Sequence, residues 1–133
     1  MLVVDSLGVA GAERHVVDLA VALRRKGYDV TVACSAAGEL SDLLDGANVP
    51  VRVLLDGLVK RRVSLAYARG LRRLLSEQRF DLVHAHIYAS AAAAAIVASG
   101  AGVPLIVTEH TEGAWQDRPA QRTSRASTDG RSA

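Results

Sequence analysis

The chain has 133 residues, enough for one hydrophobic core and one domain; half are hydrophobic and only 4% aromatic, so that core must be aliphatic and rich in alanine. The net charge of +2 does not mark a nucleic-acid groove: residues 1–112 balance basic against acidic side chains, and the excess lies in 113–133, where Arg118, Arg122, Arg125 and Arg131 face Asp117 and Asp129. A single cysteine, Cys34, excludes an internal disulfide and suits the cytoplasm; no basic-then-apolar leader opens the chain, and the longest apolar run, the mostly alanine residues 89–98, is too short to span a membrane.

Leu2, Val3 and Val4 form a short apolar strand that ends at Asp5. From Ala12 to Lys26, Val16, Leu19, Ala20 and Leu23 recur at three- and four-residue spacing while Arg14, Asp18 and Arg25 fall elsewhere, the period of a helix with one buried face, and Gly27 stops it. "YDVTVAC" reads as a β-branched strand, "GELSDLLDGA" as a short helix and "VPVRVLL" as a third strand. "SLAYARGLRRLLSEQR" predicts a helix capped by Ser64, "FDLVHAH" a fourth strand, the alanine run a helix and "VPLIVTEH" a fifth strand. Nothing repeats. This alternation predicts an α/β domain: a Rossmann-like parallel sheet with helices on both faces, right-handed crossovers and a ligand site outside the carboxyl ends of the strands. After Glu112 the alternation stops. "GAWQDRPAQRTSRASTDGRSA" has a lone Trp115 and almost no other large apolar side chain, which predicts a disordered tail over 113–133.

Chemistry-bearing residues gather at the predicted carboxyl edge. Gly8 and Gly11 follow the first strand, with Glu13 in the first turn of the helix, where free N–H groups and the positive end of the helix dipole suit a phosphate. The spacing is G-x-x-G, without the G-x-G-x-x-G of dinucleotide binders or a phosphate-loop lysine, and the second strand ends on Cys34 and Ser35 with no acid to hold a ribose. NAD is therefore excluded, and the loop reads either as a packing turn or as a ligand loop. His84 and His86 alternate on the fourth strand and share a face; His110 closes the fifth beside Glu109. Each histidine alone reads as structural, but their meeting with the glycine loop makes His110, and to a lesser degree His86, a candidate site residue. No cysteine or closely spaced carboxylate completes a zinc set, so no metal is expected.

Three blocks, "LGVAGAERHVVDLAVALRRKGYDVTVAC", "FDLVHAHIYASAAAAAIVA" and "GVPLIVTEH", come in the order and spacing of the N-terminal domain of family 4 glycosyltransferases, the retaining GT-B enzymes, which the chain resembles from Leu2 to about Thr111. The resemblance implies two Rossmann-like domains facing across a cleft. A nucleotide-sugar donor is held mainly by the C-terminal domain and a sugar, lipid or small-molecule acceptor mainly by the N-terminal one, with no metal, no cofactor beyond the donor, and retention of the anomeric configuration. It places the family's G-G-A-E loop on Ala10, Gly11, Ala12 and Glu13, near the donor diphosphate and the acceptor, with Ala10 replacing the first glycine, a methyl that a negative φ would tolerate. The family's histidine after the fifth strand falls on His110. As the catalytic candidate it would hydrogen-bond a sugar hydroxyl or stabilise an oxocarbenium-like transition state, not attack as a nucleophile. Gly8, Glu109 and His86 join the substrate-binding set, His86 on the acceptor side.

Residues 1–112 thus correspond to the acceptor-side domain. Nothing in the 133 residues corresponds to the sixth strand, the linker or the donor-binding domain, so the chain is expected to be an inactive fragment unless that domain is supplied separately. The alternative is a non-catalytic binding or interaction module that uses the same crevice. Lys60, Arg61 and Arg62, followed by Arg69, Arg72, Arg73 and Arg79, read as a solvated face or as a surface for an anionic acceptor or lipid headgroups at the inner face of a membrane.

Overall fold

The computed structural model describes residues 1–55 and 57–110; the expected tail over 113–133 lies outside them. The chain runs β1 (Leu2–Ser6), α1 (Gly11–Arg25), β2 (Val32–Ala36), α2 (Ser41–Gly46), β3 (Val51–Val53), α3 (Leu65–Glu77), β4 (Val83–His86), α4 (Tyr88–Ala101) and β5 (Leu105–Thr108). Every strand pair is parallel and the order is β3-β2-β1-β4-β5, the α/β Rossmann-like sheet that the alternation predicts. The order reverses between β1 and β4, where such sheets open a ligand crevice.

The ladders explain where strand ends depart from the sequence reading. The strand expected from Tyr28 begins at Val32, because the β1 ladder opens with Leu2 opposite Val32. The strand expected to run through His110 ends at Thr108, which faces His86, the last residue of β4. Glu109 and His110 therefore stand just beyond the sheet instead of inside it. The helix stops fall where the glycines place them. Gly27 has φ +93, letting the Tyr28 N–H return to the Leu23 carbonyl at 3.2 Å, and Gly102 has φ +68 at the end of α4. Ser64 caps α3, its hydroxyl accepting from the Tyr67 N–H at 3.2 Å.

Two apolar layers enclose the sheet. On one face, Val16, Val17 and Ala20 of α1 and Leu44 of α2 pack with Val4, Val32 and Cys34. On the other, Tyr67 and Leu71 of α3 and Ala93 and Ala94 of α4 pack with Val3, Val83 and Ala85. Fully buried leucines such as Leu44 and Leu71 each contribute about 1.5–3 kcal/mol. Among the described residues no helix is long and apolar enough to cross a membrane.

A polar knot ties α4 to the central strand. One Asp5 carboxylate oxygen accepts both the Ser90 N–H, at 2.8 Å, and the Ser90 hydroxyl, at 2.6 Å. The carboxylate thus caps, from another element, a helix whose own N-cap residue, Ile87, has no capping side chain. The Tyr67 hydroxyl donates to the Val4 carbonyl at 2.9 Å and lies 3.0 Å from the Ser90 hydroxyl, while Ser35 donates to the Asp5 carbonyl at 2.6 Å. Burial raises the Tyr67 phenol above its ordinary range and keeps it a donor.

Candidate functional site

A crevice of about 400 Å³ opens at the β1/β4 reversal. One wall is the first turn of α1 with the residue before it, Ala10 to Glu13; the other is Ile87 and Tyr88 at the start of α4, and Glu109 and His110 close it beyond β5. The loop leading into α1 is braced from behind. Leu7 is fully buried, its carbonyl accepts from the Leu40 N–H at 3.0 Å, and a Cβ on Gly38 would collide with that carbonyl and with the Gly8 nitrogen.

The two glycines of the loop are not required by packing. A Cβ on Gly11 would meet nothing within 4 Å, and one on Gly8 would touch only the Ser6 hydroxyl at 3.7 Å. Neither has a positive φ. Gly11 thus keeps open space in front of a helix N-terminus. Ala10 is the N-cap of α1 with φ −140 and offers no capping side chain, so the first-turn N–H groups lack a side-chain acceptor there. The methyl of Ala10 is accommodated by that negative φ. Glu13 sits in the first turn, complementing the dipole, and accepts from the Ser6 hydroxyl at 3.4 Å.

Behind the crevice the histidines stack. His84 and His86 share a face of β4, with ring centres 4.1 Å apart, and the His84 Nε2 lies 2.7 Å from the Thr108 hydroxyl. His86 Nδ1 is 3.0 Å from His110 Nε2. His15, on the exposed side of α1, brings its ring centre to 5.1 Å from that of His110 and 5.9 Å from that of His86. Burial, reinforced by the surrounding imidazoles, pushes His86 down to about 3 and lowers His84 from the ordinary imidazole range, so His86 is neutral throughout the physiological range. Whichever ring donates in the His86–His110 hydrogen bond, His86 Nε2 is left buried without a partner. Among the described residues one other buried side-chain atom shares that condition, the Tyr88 hydroxyl, on a residue of the crevice wall.

The backbone is strained at the same place. Ile87, a β-branched residue, has φ +71, a conformation that costs about 1–3 kcal/mol and is held here by the tie between Asp5 and the first turn of α4. Arg62 lies over the Tyr88 ring, 5.2 Å from its centre, so the basic segment reaches the crevice through one guanidinium. The other basic side chains singled out there, Lys60, Arg61, Arg69, Arg72, Arg73 and Arg79, are exposed, and Arg73 pairs with Glu77 at 2.9 Å. A wider groove of about 620 Å³ between α3 and α4 is lined mainly by apolar side chains and by Arg69 and Arg72.

Of the residues singled out in the sequence, Ala10, Gly11, Glu13, Glu109 and His110 line the crevice. His86 stands behind it in contact with His110, and Gly8 lies in the preceding turn, its carbonyl accepting from the Ala10 N–H at 3.1 Å. Sequence reasoning missed His15, Ile87 and Tyr88. The expectation of no metal weighed His84, His86, Glu109 and His110 without His15. The signal for His15 was available: it lies four residues past Gly11, one turn into a helix that starts at the sheet's carboxyl edge.

The family model for Glycosyltransferase Family 4 matches residues 9–131. Comparison of the sequence with curated proteins finds no match. A glycosyltransferase from Rickettsia africae ESF-5 superimposes with a TM-score of 0.66 at 15% identity over 92% of this chain, which spans 32% of that protein. The C-terminal domain of a hydrogenase from Pyrococcus furiosus superimposes with a TM-score of 0.60 at 21% identity, covering 80% of this chain and 88% of that domain. At these identities the two structures share the fold.

Proposed function

Because this chain belongs to glycosyltransferase family 4, we propose that its crevice is one wall of a sugar-transfer site, the acceptor side of a two-domain cleft. The observation that carries the reading is convergence: an α1 N-terminus without a side-chain cap, His110, and the partnerless Tyr88 hydroxyl all meet at the β1/β4 reversal. The α1 N–H groups receive the diphosphate of a nucleotide-sugar donor, which approaches closely because Gly11 carries no side chain. Tyr88 and His110 hydrogen-bond sugar hydroxyls, and His110 stabilises positive charge that develops as the bond from the anomeric carbon to the diphosphate oxygen breaks. The acceptor hydroxyl bonds to that carbon on the same face, its proton leaving with the departing diphosphate, so configuration is retained. Arg62 over Tyr88 favours an acceptor with negative charge.

Positioning two substrates inside a closed cleft is worth about 7–11 kcal/mol of barrier, and the described residues form one wall of such a cleft. The 133 residues alone are therefore expected to bind a nucleotide sugar weakly and transfer nothing. The test adds a separately expressed donor-binding domain of a family member and follows transfer from a panel of nucleotide sugars to anionic lipid and soluble acceptors. Transfer should appear with that domain and fall about a hundredfold in His110→Ala, with thermal unfolding unchanged. Equal turnover by the variant would remove His110 from the reacting centre. Binding that never leads to transfer would favour the non-catalytic module.

A further inference from the structure

We propose that His15, His86 and His110 form a binding site for one borderline divalent cation of the zinc class. One ring nitrogen from each lies within 4.8 Å of the others. The three rings come from α1, from the end of β4 and from the segment beyond β5, so the cluster is made by the fold and not by a sequence run. Tetrahedral zinc holds imidazole nitrogens at about 2.0–2.1 Å, which puts them about 3.4 Å from one another. His86 Nδ1 and His110 Nε2, at 3.0 Å, already stand close to that spacing, and the exposed His15 is free to rotate toward them.

Burial holds one member of the set in place: His86 is fully buried at the end of β4 and presents its Nδ1 to His110. The donor set is all nitrogen and carries no charge of its own. Such a set suits Zn²⁺, Ni²⁺ or Cu²⁺, whereas Mg²⁺ and Ca²⁺ require oxygen ligands. Three protein ligands leave a fourth position open, and one of the three, His110, also lines the crevice. The inference stands on this geometry and does not depend on sugar transfer. If His110 also serves the sugar, cation and sugar compete for it.

The test uses the untagged full chain, freed of metal with a chelator, titrated by calorimetry with ZnCl₂ and by visible absorption with CoCl₂. One zinc ion per chain is expected, with the intense visible bands of four-coordinate cobalt and no heat from MgCl₂. His15→Ala should weaken zinc binding at least about tenfold while leaving the thermal unfolding of the metal-free protein unchanged, since His15 is exposed. His110→Ala should weaken it similarly. Absence of zinc binding, binding that His15→Ala leaves intact, or equal binding of magnesium would each overturn the proposal.

Discussion

Two polar clusters sit at the carboxyl end of the same sheet, on opposite faces, and they are built to opposite standards. Under α4, Ser90 donates twice to Asp5 and meets the Tyr67 hydroxyl, which donates to the Val4 carbonyl, all at 2.6–3.0 Å, and the buried hydroxyls of Tyr67 and Ser90 are both satisfied. Beside α1, the histidines pair once, leave His86 Nε2 without a partner, and open onto a crevice. A closed network fixes elements in place, because every donor it contains would be costly to leave buried without its partner. An open one keeps hydrogen-bonding capacity in reserve, the condition in which a ligand or ion gains by arriving. The difference separates scaffold from site without reference to either residue type.

The largest expected effect breaks the closed cluster. Asp5→Ala leaves the Ser90 N–H and hydroxyl without their acceptor and uncaps α4, and is expected to lower unfolding stability by about 3 kcal/mol, measured by urea titration. A loss no greater than that of an exposed substitution would erase the contrast. The open cluster should respond differently. His86→Leu removes a buried group with an unmet nitrogen and replaces it with an apolar side chain, so stability is expected to stay within about 1 kcal/mol of the parent. A loss as large as that of Asp5→Ala would mean that the histidines are scaffold too.

The smallest effect sharpens the comparison with a third polar group. Cys34 lies on the histidine face but wholly inside the core, and burial pushes its thiol up to about 11. The folded pKa lies above the unfolded value near 9, so the neutral thiol supports the fold below about pH 9, and that support is lost as pH rises toward 11. At pH 8 the thiol should react with a disulfide reagent far more slowly in the native protein than in urea. Rapid native labelling would show that this face is open beyond the crevice.

Much of the scaffold was legible because its signals are local. The apolar period from Val16 to Leu23, the stop at Gly27 and the Ser64 cap each need only a few neighbouring residues to be read. Parallel pairing then brings the ends of β1, β4 and β5 to one edge, and with them Gly11, His86 and His110. The tie between Asp5 and Ser90 could not be read this way: its partners are 85 residues apart, and a carboxylate that caps a helix from another strand has no motif. Ile87 violates the local rule against positive φ in β-branched residues, so nothing in the sequence announces it. Gly38 opens the stretch read as a short helix, and its need to be glycine comes from the Leu7 carbonyl thirty-one positions earlier, which no local pattern shows.

The central place of β1 also sets an order of events during synthesis. Its Leu2 pairs with Val32 on one side and with His84 on the other, and the Met1 ammonium donates to the Leu82 carbonyl at 2.8 Å. At about 5–20 residues per second, the ribosome delivers Ser90 roughly 4–17 s after Asp5. During that interval one edge of Leu2–Val4 has no native partner, and the loop before α1 has no opposite wall. The crevice therefore cannot close before Glu109 and His110 are made, and the nascent chain passes through a stage with an exposed apolar edge that chaperones can shield.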